Sequence, residues 1–539
     1  MSRNLRCGRI LKALVALVAL LALILVSPSA RAQLGSPDTQ FFTLGMPGAG
    51  ADLQSFAEFG GALAAADFDC DGFDDLAVGV PGFDFDGDVD AGAVLVFYGA
   101  ETGLHPLATQ WLTPPVLLND VPEPGDRFGF ALAAGDFDGD GCAELAIGAP
   151  FEALSGEDEA GAVTIFLGSG AGLSPGYAFY QSWTGVGGAG TIGGAIETGD
   201  HFGQTLLAHD FDRDGFDDLA IGVPREDIGD VVNAGAVHVL FGSDVGVNGT
   251  RDILLYRSEG GGAGLMPGAP EAGEELGAAL AGGELNPGTG HELAIGCPGR
   301  SIAGGPANAG TVLLAFNLAT GPLAGELMLD GEGVFPEPAS GDRYGAALTA
   351  GDYNGDGRAE LTIGIPGRDS GLLDQVGALA IRDFAPELSL FWFQGDLNPE
   401  TTQAGDEFGA TLLAADFTGD GVDDLAIGVP REDLSTLTDA GLLHVVHGGA
   451  GLGLTNSGDQ IWTQVLSPPE EADQFGFALA AGRFAGAVSG GGVDLAIGVP
   501  FESVSAEVES GGVNVLYSLT LFRDGFESES TSAWSQTAP

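Results

Sequence analysis

The sequence predicts an all-β fold, a seven-bladed β-propeller with four-stranded blades, and three observations carry that prediction. A unit of two short apolar strands around a loop recurs seven times, starting at 59, 128, 202, 276, 344, 408 and 475. Its strands are rich in Val, Ile, Leu and Phe and are bounded by Gly, Pro and Asp; with 92 Gly and 28 Pro, no long helix-period stretch follows the first 32 residues. A segment ahead of the first unit matches the fourth-strand pattern that the last unit lacks.

Taken in order, residues 1–32 read as a secretory signal peptide: Arg3, Arg6, Arg9 and Lys12 are its basic start, 13–26 its apolar stretch, and Ala30-Arg31-Ala32 its cleavage site. The apolar stretch is short of the roughly 20 residues a spanning helix needs. The repeats fill 33–520. In each, a first strand such as Phe128-Gly-Phe-Ala-Leu-Ala-Ala enters the loop. A second follows as Leu145-Ala-Ile-Gly-Ala-Pro150, and a third as Ala160 to Gly168. A fourth is expected at Gln-Trp or Gln-x-Trp: Gln110-Trp111, Gln181-Ser-Trp183 and Gln460-Ile-Trp462. One such unit cannot bury both faces of its sheet, whereas stacked neighbours can. Thr39-Gln40-Phe41-Phe42 is expected to complete the seventh blade, closing the ring and removing an edge. An open array or solenoid would need no such displaced strand.

Composition narrows the partners. The chain carries 18 basic and 76 acidic residues. Five of the basic ones lie in the signal segment, which leaves 13 against 76, a net charge of −63. Such a charge repels phosphate backbones and anionic headgroups, so neither nucleic acid nor an anionic membrane surface is an expected partner. Cations are. Beyond the signal stand Cys70, Cys142 and Cys297, an odd number at unrelated repeat positions, so no disulfide framework is expected.

Five of the loops read Asp-x-Asp/Asn/Thr-x-Asp-Gly-x-x-Asp/Glu. Acids at positions 1, 3, 5 and 9 around a turn-making Gly form an oxygen cage suited to Ca²⁺, which takes six to eight oxygens; Mg²⁺ prefers a tight octahedron with retained waters. A lone loop of this kind would be read as a solvated Asx turn. Five in one register favour metal. The closing acid at position 9 and the flanking strands separate these loops from helix-flanked ones that close with Glu at position 12.

The Phe-Gly start, the acidic loop and the Gly-Val/Ala/Ile-Pro end resemble FG-GAP repeats, the units of the integrin α-subunit head, over about 39–520. The resemblance implies a seven-bladed propeller with calcium in the loops on one face and ligand or partner binding on the other. Carried over loop by loop, it implies ligands from Asp67, Asp69, Asp71 and Asp75 with the Phe73 carbonyl in blade one. Blade two offers Asp136, Asp138, Asp140 and Glu144 with Cys142, and blade three Asp210, Asp212, Asp214 and Asp218 with Phe216. Blade five offers Asp352, Asn354, Asp356 and Glu360 with Arg358. Blade six, with Asp416, Thr418, Asp420 and Asp424 and the Val422 carbonyl, is expected to bind most weakly because Thr418 is neutral. No calcium is expected in blade four, where the loop runs Glu284 to Glu292, or in blade seven, where Arg483 stands at position 1 and offers its own cation.

Further acids crowd the turns after the second strands: Asp84, Asp86, Asp88 and Asp90, then Glu152, Glu157, Asp158 and Glu159, then Glu226, Asp227 and Asp230. They read as a solubilising rim or as a surface for a cationic partner. The seven His form no His-Glu-x-x-His pair and no Gly-x-Ser-x-Gly occurs, so no catalytic residue is expected. His238 and His444 share one third-strand position and are expected in the core. The tail, 521–539, resembles a short Phe-x-Asp-Gly-Phe-Glu ending of exported bacterial proteins. The sequence therefore reads as an exported calcium-binding propeller for adhesion or for an extracellular protein or glycan ligand. The alternatives are a secreted hydrolase or lyase acting in the central funnel, and a purely structural surface repeat.

Overall fold

The computed structural model describes residues 39–518, apart from loop segments of which 182–191 and 319–336 are the longest; 47–52, 115–121, 259–264, 287–289, 398–401, 456–458, 487–491 and a few stretches of one or two residues are likewise left aside. The expected signal segment and tail lie outside the described residues. Seven antiparallel sheets follow one another along the chain. Blade one runs outward through Leu63–Ala66, Asp75–Val80, Ala93–Phe97 and Thr109–Leu112. Blade three gains a short fifth strand, Leu265–Met266, pairing in parallel, and blade four shows three strands among the described residues. A single helical turn, Gln394–Leu397, follows the fourth strand of blade five.

Closure is as the sequence predicts. Thr39–Phe42 adds to Gly512–Leu516 as the outer strand of blade seven, with Thr39 opposite Leu516 and Phe42 opposite Val513. The Tyr517 hydroxyl donates to the Gln40 side chain and accepts the Leu104 N–H at 2.9 Å, fastening the same seam. First strands touch their neighbours in ring order, and Leu479–Gly482 meets Leu63–Ala66 to complete the circle.

The strand sequences explain this packing. Second strands such as Asp218–Val223 are buried at every position because blades cover both of their faces. Among the described residues, seven large apolar clusters result, one at each junction, and a small eighth forms around Leu154, Ala160 and Ala162. Between blades one and two, for example, Phe68, Val94 and Leu112 meet Phe128, Leu145 and Phe166. Each fully buried Phe contributes about 1.5–3 kcal/mol. First strands are only half buried, since they line an axial channel of about 320 Å³. Leu63, Leu132, Leu206, Leu280, Leu348, Leu412 and Leu479, one from each blade, ring that channel.

The Phe-Gly start is a contact between blades. Gly92 of blade one bridges Phe128 of blade two, and Gly441 bridges Phe475 in the same way. Gly92 has φ +83°, and a Cβ there would lie 2.3 Å from the Phe128 carbonyl oxygen. Gly92→Ala is therefore expected to lower stability by at least ~2 kcal/mol. A shift in the urea midpoint reads this out, and an unchanged midpoint would show that the junction yields freely.

Two expectations are corrected. In blade two the fourth strand is Ser174–Phe179, upstream of Gln181-Ser-Trp183. Gln181 is instead buried beyond the strand, donating from Nε2 to Glu226 Oε2 of blade three at 2.5 Å, while Trp183 lies outside the described residues. The second correction is a disulfide, Cys70–Cys142, with Cα atoms 5.0 Å apart; Cys297 is free and buried. The two partners sit at different loop positions in adjacent repeats, and the ring brings those positions together.

Candidate metal centre

Each acidic loop joins the first strand to the second, so all of them fall on one face of the ring. Backbone shape comes first. The Gly at position 6 is left-handed throughout, with φ of +93° at Gly72, +93° at Gly141, +95° at Gly215, +87° at Gly357 and +85° at Gly421. With that turn in place, the acid at position 1 accepts N–H groups from positions 5 and 6, as Asp67 does from Asp71 and Gly72. The acid at position 5 accepts the N–H of position 7: Asp71 from Phe73 and Asp140 from Cys142 at 2.9 Å each, Asp214 from Phe216 and Asp356 from Arg358 at 3.1 Å, and Asp420 from Val422 at 3.0 Å.

This turn gathers carboxylates. Oxygen atoms within 4.8 Å of one another come from Asp67, Asp69 and Asp71 in blade one, and from Asp136, Asp138 and Glu144 in blade two. Asp210, Asp212 and Asp218 do the same in blade three, and Asp352, Asp356 and Glu360 in blade five. Asp75, Asp140 and Asp214 stand outside these trios. Blade six yields no trio among the described residues. There Asp416 Oδ1 takes the Thr418 hydroxyl at 3.3 Å and the Gly419 N–H at 2.6 Å, turning it toward its own loop.

The acid at position 9 has a second task. Asp75 accepts the Phe68 N–H at 2.9 Å and the Gly99 N–H at 2.7 Å, tying the loop to the end of the third strand. Asp218 and Asp424 repeat the pattern. Glu292 of blade four keeps the loop half of this tie, accepting the Leu285 N–H at 2.8 Å, and Asp494 of blade seven the strand half, accepting the Ser518 N–H at 2.7 Å, although their loops lack the other acids. Position 9 is thus architectural in every blade. Burial, and then the neighbouring carboxylates, push Asp75, Glu144 and Asp218 up to about 7 and Glu360 to about 8. A cation among them would reverse that push.

The donor set fits a hard divalent ion, being all oxygen and mostly anionic. In blade two, Glu144 Oε1 is buried without a hydrogen-bond partner, an acceptor such an ion would satisfy. In blade five the Asn354 Nδ2 faces Glu360 Oε1 at 2.5 Å, so its oxygen reaches a cation only after the amide turns over. No motif in the sequence marks Arg251, which lies on Asp212 at 2.8 Å and over the Phe241 ring at 4.0 Å. Nor does one mark Glu284 of blade four, paired with Arg213 at 2.8 Å. Arg483 forms no ion pair among the described residues; its N–H donates to Asp74. Because Arg251 competes for a carboxylate of the blade-three trio, Arg251→Ala is expected to tighten calcium binding there severalfold, read by titration calorimetry. Weaker binding would mean that the arginine organises the loop.

On the opposite face the structure corrects the acidic rim. Asp86, Glu157, Asp158, Glu159 and Asp230 are exposed, but Glu152 and Glu226 are buried. They occupy a position two residues after the second-strand Pro, which turns the side chain in against the preceding blade. There Glu226, Glu432 and Glu502 each accept from a buried Gln of that blade, respectively Gln181, Gln394 and Gln464. Each also lies beside a second buried acid, Asp200, Asp406 or Asp473. In blades four and five the same position is arginine, and Arg300 pairs with Glu274 at 2.8 Å and Arg368 with Asp342 at 2.6 Å. Blade one places Phe83 there, opposite Ala57. His238 and His444 are core residues as expected, bonded to Asp252 and Asp459 at 3.0 and 2.9 Å and packed on Phe202 and Phe408.

Fold and loops together define a seven-bladed propeller with acidic, cation-type turns on one face. The FG-GAP repeat model matches residues 59–97, 128–166, 202–240, 344–381 and 408–446, so the chain carries FG-GAP repeats in five places. The matched units are the five with the acidic loop, while those at 276 and 475 keep the blade without it. Similar proteins include phosphatidylinositol-glycan-specific phospholipase D of Mus musculus, 36% identical over 31% of this chain and 19% of that one. Integrin alpha-5 of Xenopus laevis is 35% identical over 32% of this chain and 16% of its own length. The chain thus spans less than a fifth of these curated relatives. Rhamnogalacturonan lyase YesW aligns over 77% of this chain and 74% of its own, at 14% identity and a TM-score of 0.34, too low to bear on function.

Proposed function

We propose that this protein is an exported, calcium-stabilised binding propeller that holds an extracellular protein or glycan ligand on the face opposite its acidic loops. The observation that carries the reading is the repeated carboxylate cluster, in one register on one face, in four blades. Calcium would occupy blades one, two, three and five, and blade six most weakly. Export is supported by the Cys70–Cys142 disulfide, a bond that persists in oxidising compartments. Integrin alpha subunits among the relatives support adhesion, and the exposed acids favour a ligand with a cationic surface.

The phospholipase D relatives raise an enzymatic reading. The axial channel speaks against chemistry there, since its lining is Ala and Leu with only Gln204, Thr205 and Thr411 polar, and no titratable side chain. The test is metal counting by mass spectrometry on the purified chain, followed by protein and glycan arrays probed with and without calcium. About five calcium ions and calcium-dependent capture of a ligand class are expected. A metal-free protein, or hydrolysis of a phospholipid or polysaccharide substrate without stable capture, would overturn the reading.

A further inference from the structure

The disulfide joins two of the acidic loops, and its place in the ring gives it a role at their cation sites. At three junctions, position 4 of one loop meets position 7 of the next blade's loop. A Cβ on Gly139 would lie 2.6 Å from the Phe216 ring, and one on Gly355 would lie 3.1 Å from Val422. At the junction of blades one and two these positions are Cys70 and Cys142. Cys70 stands between Asp69 and Asp71, and Cys142 carries the carbonyl expected at position 7.

The other junctions show what the bond replaces. Where position 8 is Asp, neighbouring loops are tied twice. Asp217 accepts the Asp136 N–H at 3.0 Å and donates its own N–H to the Asp136 carbonyl. Asp423 does the same with Asp352, and Asp74 with Arg483. Position 8 of blade two is Ala143, so only the backbone bond to the Asp67 carbonyl remains, at 2.9 Å. Ala359 and Val493 leave the junctions of blades four with five and six with seven in the same condition. Each of those pairs one acidic loop with a loop that lacks the acids. Among the described residues, the junction of blades one and two is the one place where the side-chain tie is missing between two full acidic loops, and there the disulfide stands.

We infer that the Cys70–Cys142 disulfide is a positioning cross-link that holds the blade-one and blade-two loops in their cation-binding shape, so that both sites lose affinity together when it is opened. Opening is a two-electron thiol–disulfide exchange: two thiols of an added reductant are oxidised to a disulfide, the Cys70–Cys142 S–S bond breaks, and the two cysteines take up the two protons as thiols. The inference rests on the calcium reading above. Preorganising a loop raises affinity by removing the cost of ordering it on binding.

The test uses the full chain, native and as the Cys70→Ser/Cys142→Ser variant, titrated with calcium chloride and counted by mass spectrometry at a buffered free calcium level that just fills the native sites. Two fewer ions, and an affinity about tenfold or more lower at two sites only, are expected. Folded native protein treated with reductant at that calcium level should release the same two ions, which guards against a variant that folds poorly. A purely structural bond would lower the melting temperature and leave the isotherm of the folded protein unchanged; that outcome sinks this inference alone. A native protein that binds no calcium would sink the calcium reading and this inference with it.

Discussion

Chelation lowers the melting temperature of the full chain by roughly 13 °C from its value in calcium at a hundredfold above the dissociation constant. An ion that binds only the folded state adds about 2.7 kcal/mol per site under those conditions, so five sites add roughly 13 kcal/mol. Unfolding entropy scales at about 2.1 cal/mol/K per residue, or about 1 kcal/mol/K for a propeller of this size melting as one unit. The loops make the effect credible, because Asp67, Asp69 and Asp71, for example, crowd three carboxylate oxygens within 4.8 Å of one another. Without a cation they repel one another or take up protons. Calorimetric scans with calcium and with chelator measure the shift. Scans that superimpose would reduce the loops to solvated turns, and the calcium-dependent part of the binding reading would go with them. Asp136→Asn and Asp138→Asn should each abolish about one site's share of the shift.

Most of this fold was legible because a repeat shows its own constraints. Seven Phe-Gly starts, each placing a glycine of one blade under the Phe, Leu or Tyr of the next, fix the blade count. The Thr39–Phe42 segment, standing ahead of the first unit and pairing with the last, fixes the closure. The acidic loops were legible for the same reason, since position 9 recurs in every blade. What escaped the sequence lies across blade junctions, where contacts join different positions of adjacent units. Cys70 and Cys142 stand at unequal positions of their units, so no repeat register relates them, and only the ring sets position 4 against position 7. Gln181 was read as a strand residue by its spacing from Trp183, but Glu226 of the next blade claims it. Arg251 lies on the fourth strand's approach, far along the chain from Asp212, and nothing in its surroundings marks it as a partner for a loop. Reading each unit against the next, offset by three positions, would have found the disulfide.

Stability in saturating calcium falls as pH rises from 5.5 to 8.5, and the buried acid pairs opposite the loops are the cause. Burial pushes Asp200 and Glu432 up to about 8 and Asp473 to about 7, and each pair lies among further acids: Glu197 and Asp227, Asp433 and Asp439, and Glu470. The basic-capable group facing them is His238, near Glu226. A carboxyl whose pKa is raised on folding binds its proton more tightly in the folded state. Its contribution is therefore complete below about pH 4, where the unfolded chain is also protonated, and it is lost as pH climbs through 7 to 8. Calcium keeps the loop acids ionised, so the largest part of the remaining slope belongs to these pairs, a few kcal/mol in all, with smaller shares from Asp494, Asp217, Asp423 and Glu274, which burial also raises. Blades four and five are the internal controls, because Arg300 and Arg368 supply there the positive charge that the pairs lack. An amide imitates the protonated acid, donating to the neighbouring carboxylate at every pH. The Asp200→Asn/Asp406→Asn/Asp473→Asn variant should accordingly show a nearly flat urea midpoint over the range where the native midpoint declines. Parallel declines in the two proteins would place the titrating groups elsewhere.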